Sequence, residues 1–386
     1  MAATALPPRR LAPVQRRGRR PLVPVLLAAI AVTLLAGLTG GLLRAGVPLP
    51  ALSAAHWAGQ AAVWHGALMV GGFMGSMVGV ERAVALRHPL AWAAPVASAS
   101  AAAALLLGAP AFSAWLLVVA ATAFVGANTV LVQRQPAQHT ALLLLAAFAW
   151  LAGNVLAVSG IGGAGVLPCW FSFLLLTVAA ERLEMTRLLK RRPAAQPLLA
   201  TVVVALLAAA GWSALDAVAG GVAFGLSLVA LAAWLLVFDI ARRTARAEGL
   251  PRYMALCLLG GYVWLAIGGL AWAAYALGVP VRDAALHAIG LGFLGSMVLG
   301  HAPVILPAVA RLKLAFGRVF YLPLGALHVS LLVRLGPGLL DAGWRAAGAL
   351  ANVLALATFA VVVASAALAW RRHGSAPRRR ERAVGS

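Results

Sequence analysis

Ala141-Leu142-Leu143-Leu144-Leu145-Ala146-Ala147-Phe148-Ala149-Trp150-Leu151-Ala152-Gly153-Asn154-Val155-Leu156-Ala157-Val158 runs without a single charge. Leu and Ala follow one another with no apolar–polar alternation, which excludes a strand with one wet face. A bilayer core of about 30 Å takes about 20 apolar residues as helix. Lipid offers the backbone no partner, so the chain must bond within itself. The stretch, extended to 140–159, is therefore a membrane-spanning helix.

The same reading repeats outward in both directions. With Pro, Gly and Arg as punctuation, spans fall at 22–43, 54–80, 89–107, 111–132, 140–159, 167–184, 197–214, 219–240, 253–277, 284–305, 319–335 and 346–370. The expected fold is all-α, a polytopic membrane bundle of about twelve helices over 22–370. Basic tails at 1–21 and 371–386 flank it. Composition agrees: of 386 residues, 63% are hydrophobic and 10% charged, with a mean hydropathy of +0.95. A soluble domain carries about a quarter charged residues. A cytosolic enzyme, a DNA-binding domain and a secreted disulfide scaffold are excluded, and the lipid bilayer is the expected partner.

The net charge of +22 has a different meaning in this setting. Lys and Arg occur in short clusters between apolar runs, where they set orientation by staying on the cytoplasmic side. They do not form the basic face that nucleic acid requires. With both termini inside, all but Arg44, Arg282, Arg334 and Arg345 of the 31 Lys and Arg fall on cytoplasmic segments. This asymmetry supports an even number of spans in a bacterial-type inner membrane. Two cysteines, Cys169 and Cys257, lie within apolar segments and form no Cys-x-x-Cys-His run, so covalent c-type haem attachment is excluded.

Ionisable groups at membrane depth are costly and mark function. The nine acids fall in loops or at helix ends, which disfavours a carrier with a midplane carboxylate. Glu81-Arg82 and Glu181-Arg182 are expected to anchor cytoplasmic helix ends. Four histidines lie within spans: His65, His287, His301 and His328. At 1.5 Å per residue, His65 stands about 24 Å from Glu81 and His287 one turn from Asp283, so both reach the same outer depth. Such a pair on different helices can clamp one haem iron from both sides, with Gly72 and Gly290 among the small residues that let a flat macrocycle approach. His301 lies about 21 Å from His287, and His328 about 15 Å from Arg318. Imidazole suits copper, so these two are candidate copper ligands; proton relay and packing are the alternatives. The second and tenth spans also share a local repeat, Gly72-Phe73-Met74-Gly75-Ser76-Met77-Val78 and Gly292-Phe293-Leu294-Gly295-Ser296-Met297-Val298.

The run Trp64-His65-Gly66-Ala67-Leu68-Met69-Val70-Gly71-Gly72-Phe73 resembles the Trp-His segment of the NnrS family. Ala285-Leu286-His287-Ala288-Ile289-Gly290, continuing through Met297-Val298-Leu299-Gly300-His301, is similar to that family's His-Ala…Gly-x-Met…Gly-His helix. The resemblance implies a twelve-helix membrane protein of haem–copper-oxidase-subunit-I-like architecture, associated with nitric oxide stress and able to hold haem and copper. In the oxidase subunit, histidines on the second and tenth helices hold the low-spin haem, and His65 and His287 occupy those helices here. The sixth and seventh spans lack the histidines of an oxygen-reducing copper centre, so terminal oxidase activity is not expected. The expected function is a haem-binding membrane protein in nitric oxide or respiratory stress, for which a redox partner would be implied. A secondary carrier of a small substrate and a cofactor-free scaffold or assembly factor are the rivals.

Overall fold

The computed structural model describes residues 22–185 and 193–374. The expected basic tails therefore lie mostly outside the described residues, as does the basic run at 187–192. Among the described residues every regular element is helical, and twelve helices are long and apolar enough to cross a bilayer. They are α1 (Leu22–Arg44), α2 (His65–Leu86), α3 (Pro89–Leu106), α4 (Pro110–Arg134), α5 (Gln138–Val158), α6 (Gly163–Met185), α7 (Ala195–Trp212), α8 (Ala219–Phe238), α9 (Gly249–Ala276), α10 (Arg282–Val309), α11 (Arg318–Leu339) and α12 (Ala342–Arg372). The chain is a multi-pass, all-α membrane protein.

Short connections make most sequence neighbours pack side by side: α3 with α4, α4 with α5, α5 with α6, α7 with α8, α8 with α9 and α11 with α12. α1 meets α12, which brings the two ends of the bundle together. α6 is central, with 83% of its apolar window buried, whereas α12 is peripheral at 17%. Large apolar side chains on the perimeter, among them Leu35, Phe112 and Val204, face outward. In lipid this is the stable arrangement, because tails solvate them as well as a core would.

Packing inside relies on aromatic contact and small residues. Trp150 stacks on Phe173 at 4.8 Å and meets Phe124 edge-on at 5.6 Å. Asn154 bonds the Leu117 carbonyl of α4 and accepts from Trp170 Nε1 of α6, 3.0 Å away. Such interhelical hydrogen bonds join helices where hydrophobic burial alone cannot. Gly225 and Gly269 let α8 and α9 touch backbone to backbone: a Cβ on either would crowd the carbonyl oxygen of the other at 2.5–2.6 Å.

The second span differs from its expected 54–80. A separate helix, His56–Val63, ends at Trp64 (φ −100°, ψ 21°), and α2 then begins at His65 and continues to Leu86. Arg87 closes it in a left-handed conformation (φ 54°). Within α2, Leu68–Met74 winds as π-helix; within α10, so does Ala288–Phe293. These wider turns, often found at functional sites, overlap the two halves of the sequence repeat; one begins three residues after His65 and the other immediately after His287.

Candidate functional site

The two π-helical segments place His65 and His287 opposite one another. Their ring centres are 6.4 Å apart and their planes inclined by 28°. The hydrogen bonds of each ring determine its tautomer. His65 Nδ1 lies 2.8 Å from the Gly37 carbonyl oxygen of α1. A carbonyl can only accept, so Nδ1 carries the proton and the neutral ring keeps its lone pair on Nε2. His287 Nδ1 lies 3.0 Å from both the carbonyl oxygen and a carboxylate oxygen of Asp283, one turn earlier. It too is the donor, so the lone pair of the neutral ring lies on Nε2. Fixing one ring nitrogen with a carbonyl or carboxylate is how proteins orient imidazole for a metal on the other.

Both rings border a cavity of about 820 Å³, a size that suits a large cofactor. The small residues along its wall are Gly41, Ala45, Gly66, Ala67, Ala157, Gly160 and Gly163. Gly66 has no neighbouring atom within 4 Å of where a Cβ would stand, and the same holds for Gly290. Gly72 is turned elsewhere: its Cβ position would meet Ala102 and Thr33 at 2.9 Å, so it packs α2 against α3 and α1.

All four arginines that stand apart from the basic clusters in the sequence, Arg44, Arg282, Arg334 and Arg345, line this one cavity. Arg334 is committed. It grips Asp283 through two bonds of 2.9 Å and reaches Asn352, whose amide donates to Ser330 Oγ at 2.6 Å. Among the described residues no carboxylate pairs with Arg44, Arg282 or Arg345. Three cationic heads without an acid give the mouth a positive field. Nothing in the sequence marked these arginines as site residues, although their exclusion from the basic side was the available signal. Asp283 was visible too, as an acid four residues before His287 on one helix face.

The other two histidines serve elsewhere. His328 Nδ1 accepts from Trp264 Nε1 at 2.8 Å. The indole only donates, so the ring proton sits on Nε2, and this histidine presents no free lone pair to a metal. Its ring lies over Gly260, which has no side chain to obstruct it. His301 donates to the Met297 carbonyl at 2.7 Å and lies within electrostatic reach of Glu81. No group of three or more His, Cys, Asp or Glu side chains able to hold a metal occurs among the described residues.

At the opposite end of the bundle a second polar cluster is buried. Arg182 of α6 pairs with Asp239 through contacts of 3.0 and 3.2 Å, and Tyr262 of α9 donates to the same carboxylate. Arg182 was expected to anchor a helix end beside Glu181. The structure gives it Asp239, the residue that ends α8, as its ion-pair partner. Arg82 is also buried, and its Nε has no hydrogen-bond partner.

Fold and site together define a class: an integral membrane protein of twelve helices with paired imidazoles inside an arginine-rimmed cavity. The chain matches the family described as Domain of unknown function (DUF8744) over residues 22–368, and it belongs to that family. No curated protein and no solved structure matches it.

Proposed function

We propose that this is a haem-binding membrane protein in which His65 and His287 are the axial ligands of one iron. The observation that carries the reading is the pair of facing imidazoles with both Nδ1 atoms already bonded. The rings stand 6.4 Å apart on the wall of one cavity, near enough for both to hold the same metal ion. The rest of the cavity suits the same group. Haem is flat, apolar and edged by two carboxylates, and the pocket offers small residues, Trp64 and Trp170 as apolar walls, and arginine heads without an acid. Bound there, haem would supply a redox-active iron whose behaviour is tuned by its axial ligands and burial.

Orientation follows from the charge asymmetry: the termini and most of the arginines are cytoplasmic, and the histidine cavity opens outward from a bacterial-type inner membrane. The resemblance to NnrS supports a role in nitric oxide or respiratory stress, by sensing, electron transfer or metal handling, with His301 available for a second metal such as copper.

Optical spectroscopy of detergent-purified protein from haem-replete cells tests the reading. The expected result is a Soret band with the spectrum of a low-spin, six-coordinate haem, abolished in the His65→Ala/His287→Ala double variant. Colourless wild-type protein, or a band unchanged in the double variant, would overturn it.

A further inference from the structure

The two imidazoles are held very differently. His287 donates to Asp283, whose carboxylate is gripped twice by Arg334, which in turn reaches the Asn352–Ser330 pair. The chain of bonds crosses α10, α11 and α12, and Arg334, Ser330 and Asn352 are all buried. A carboxylate on Nδ1 also makes the opposite nitrogen a stronger donor. His65 has one anchor, the neutral carbonyl of Gly37. It sits immediately after the break at Trp64, where the helix is interrupted. The bare Gly41 lies against its ring: a Cβ there would stand 2.9 Å from His65 Cε1. One side of the pair is braced and strongly donating, while the other is lightly tethered at a joint.

We infer that the pair is functionally unequal: His287 is the permanent ligand, with Asp283 as its positioning residue, and His65 yields its place to an external ligand. This rests on the haem reading above and adds to it the face on which an external ligand binds. In the exchange one bond to the metal breaks and one forms, with no electron transferred and no proton moved. His65 keeps its Nδ1–H throughout.

The experiment uses full-length protein in detergent, reduced, with carbon monoxide as the probe. His65→Ala is expected to keep its haem, shift to a five-coordinate spectrum and bind carbon monoxide more readily than wild type. His287→Ala is expected to lose most of its haem and to regain it with added imidazole, which shows that the chain is folded. Asp283→Asn should weaken haem retention by about 10–100-fold, the range typical of such supporting groups. Gly41→Ala, which crowds the His65 ring without removing it, should raise carbon monoxide affinity. Equal haem loss in both histidine variants, retention only in His287→Ala, or equal affinity in Gly41→Ala and wild type would overturn the inequality while leaving a haem protein. Colourless wild type would remove the haem reading itself, and this inference with it.

Discussion

Two polar regions lie at opposite ends of the same bundle, and they solve the problem of burying charge in opposite ways. The Arg182–Asp239–Tyr262 cluster is closed: both carboxylate oxygens meet the guanidinium, the phenol adds a further bond, and both charged side chains are almost fully buried. The histidine cavity is open: among the described residues neither ring's Nε2 has a hydrogen-bond partner and three of the arginine heads have no acid, Arg44 bonding only the Ala62 carbonyl. A satisfied network joins helices, whereas an unsatisfied one of this composition waits for something to complete it. Burial of charge alone therefore does not distinguish function from architecture here; the state of the hydrogen bonding does.

The sharpest way to break this contrast is to truncate the closed cluster. Asp239→Ala takes the carboxylate partner from the buried Arg182, which costs about 3–5 kcal/mol. A large loss of thermal stability in detergent is expected, with much of it recovered in the Arg182→Met/Asp239→Leu pair, because apolar replacements of a buried ion pair are often neutral. The equivalent exchange at the other end, Asp283→Leu/Arg334→Met, should recover stability but not haem retention. If it recovered both, the open region would be architecture as well.

A smaller effect is expected at Tyr262→Phe. Removing one hydrogen bond to a charged acceptor costs about 1.5–3 kcal/mol, measured by thermal denaturation, with the haem spectrum unchanged. Smaller again is Trp264→Phe, which leaves His328 Nδ1 without its donor and costs about 1 kcal/mol. Its spectrum should also match wild type, because His328 takes no part in the cavity.

Much of this architecture is legible in the sequence, for a physical reason. Uninterrupted apolar runs have only one stable form in lipid, so twelve spans can be read from composition and punctuation alone. The meeting of His65 and His287 is readable as well, since helical rise converts position into depth. What composition cannot express is rotation about each helix axis. Gly72 looked as suited to a flat cofactor as Gly290, yet it faces α3 and α1. The π-helical turns after each histidine shift the face that follows, and nothing in an Ala- and Gly-rich stretch separates a π-turn from an α-turn. Asp239 was hidden in the same way: a residue that ends α8 looks interfacial in sequence, but α6 and α9 close over it.

The arginines at the mouth offer the finest test of the contrast. Arg345 lines the cavity without an acid partner among the described residues, so Arg345→Gln removes no internal bond. Stability should change by no more than about 0.5 kcal/mol, as for surface substitutions away from any network. If the mouth exists to hold anionic edges of a cofactor, the same variant should release haem faster to an external acceptor, and the release should accelerate with salt, which screens exposed charges. Arg334→Gln removes a structural bond and should lower both stability and retention. Retention falling in Arg345→Gln at constant stability would separate ligand binding from scaffolding within a single ring of arginines. A coupled fall in both quantities would return Arg345 to the framework of the bundle.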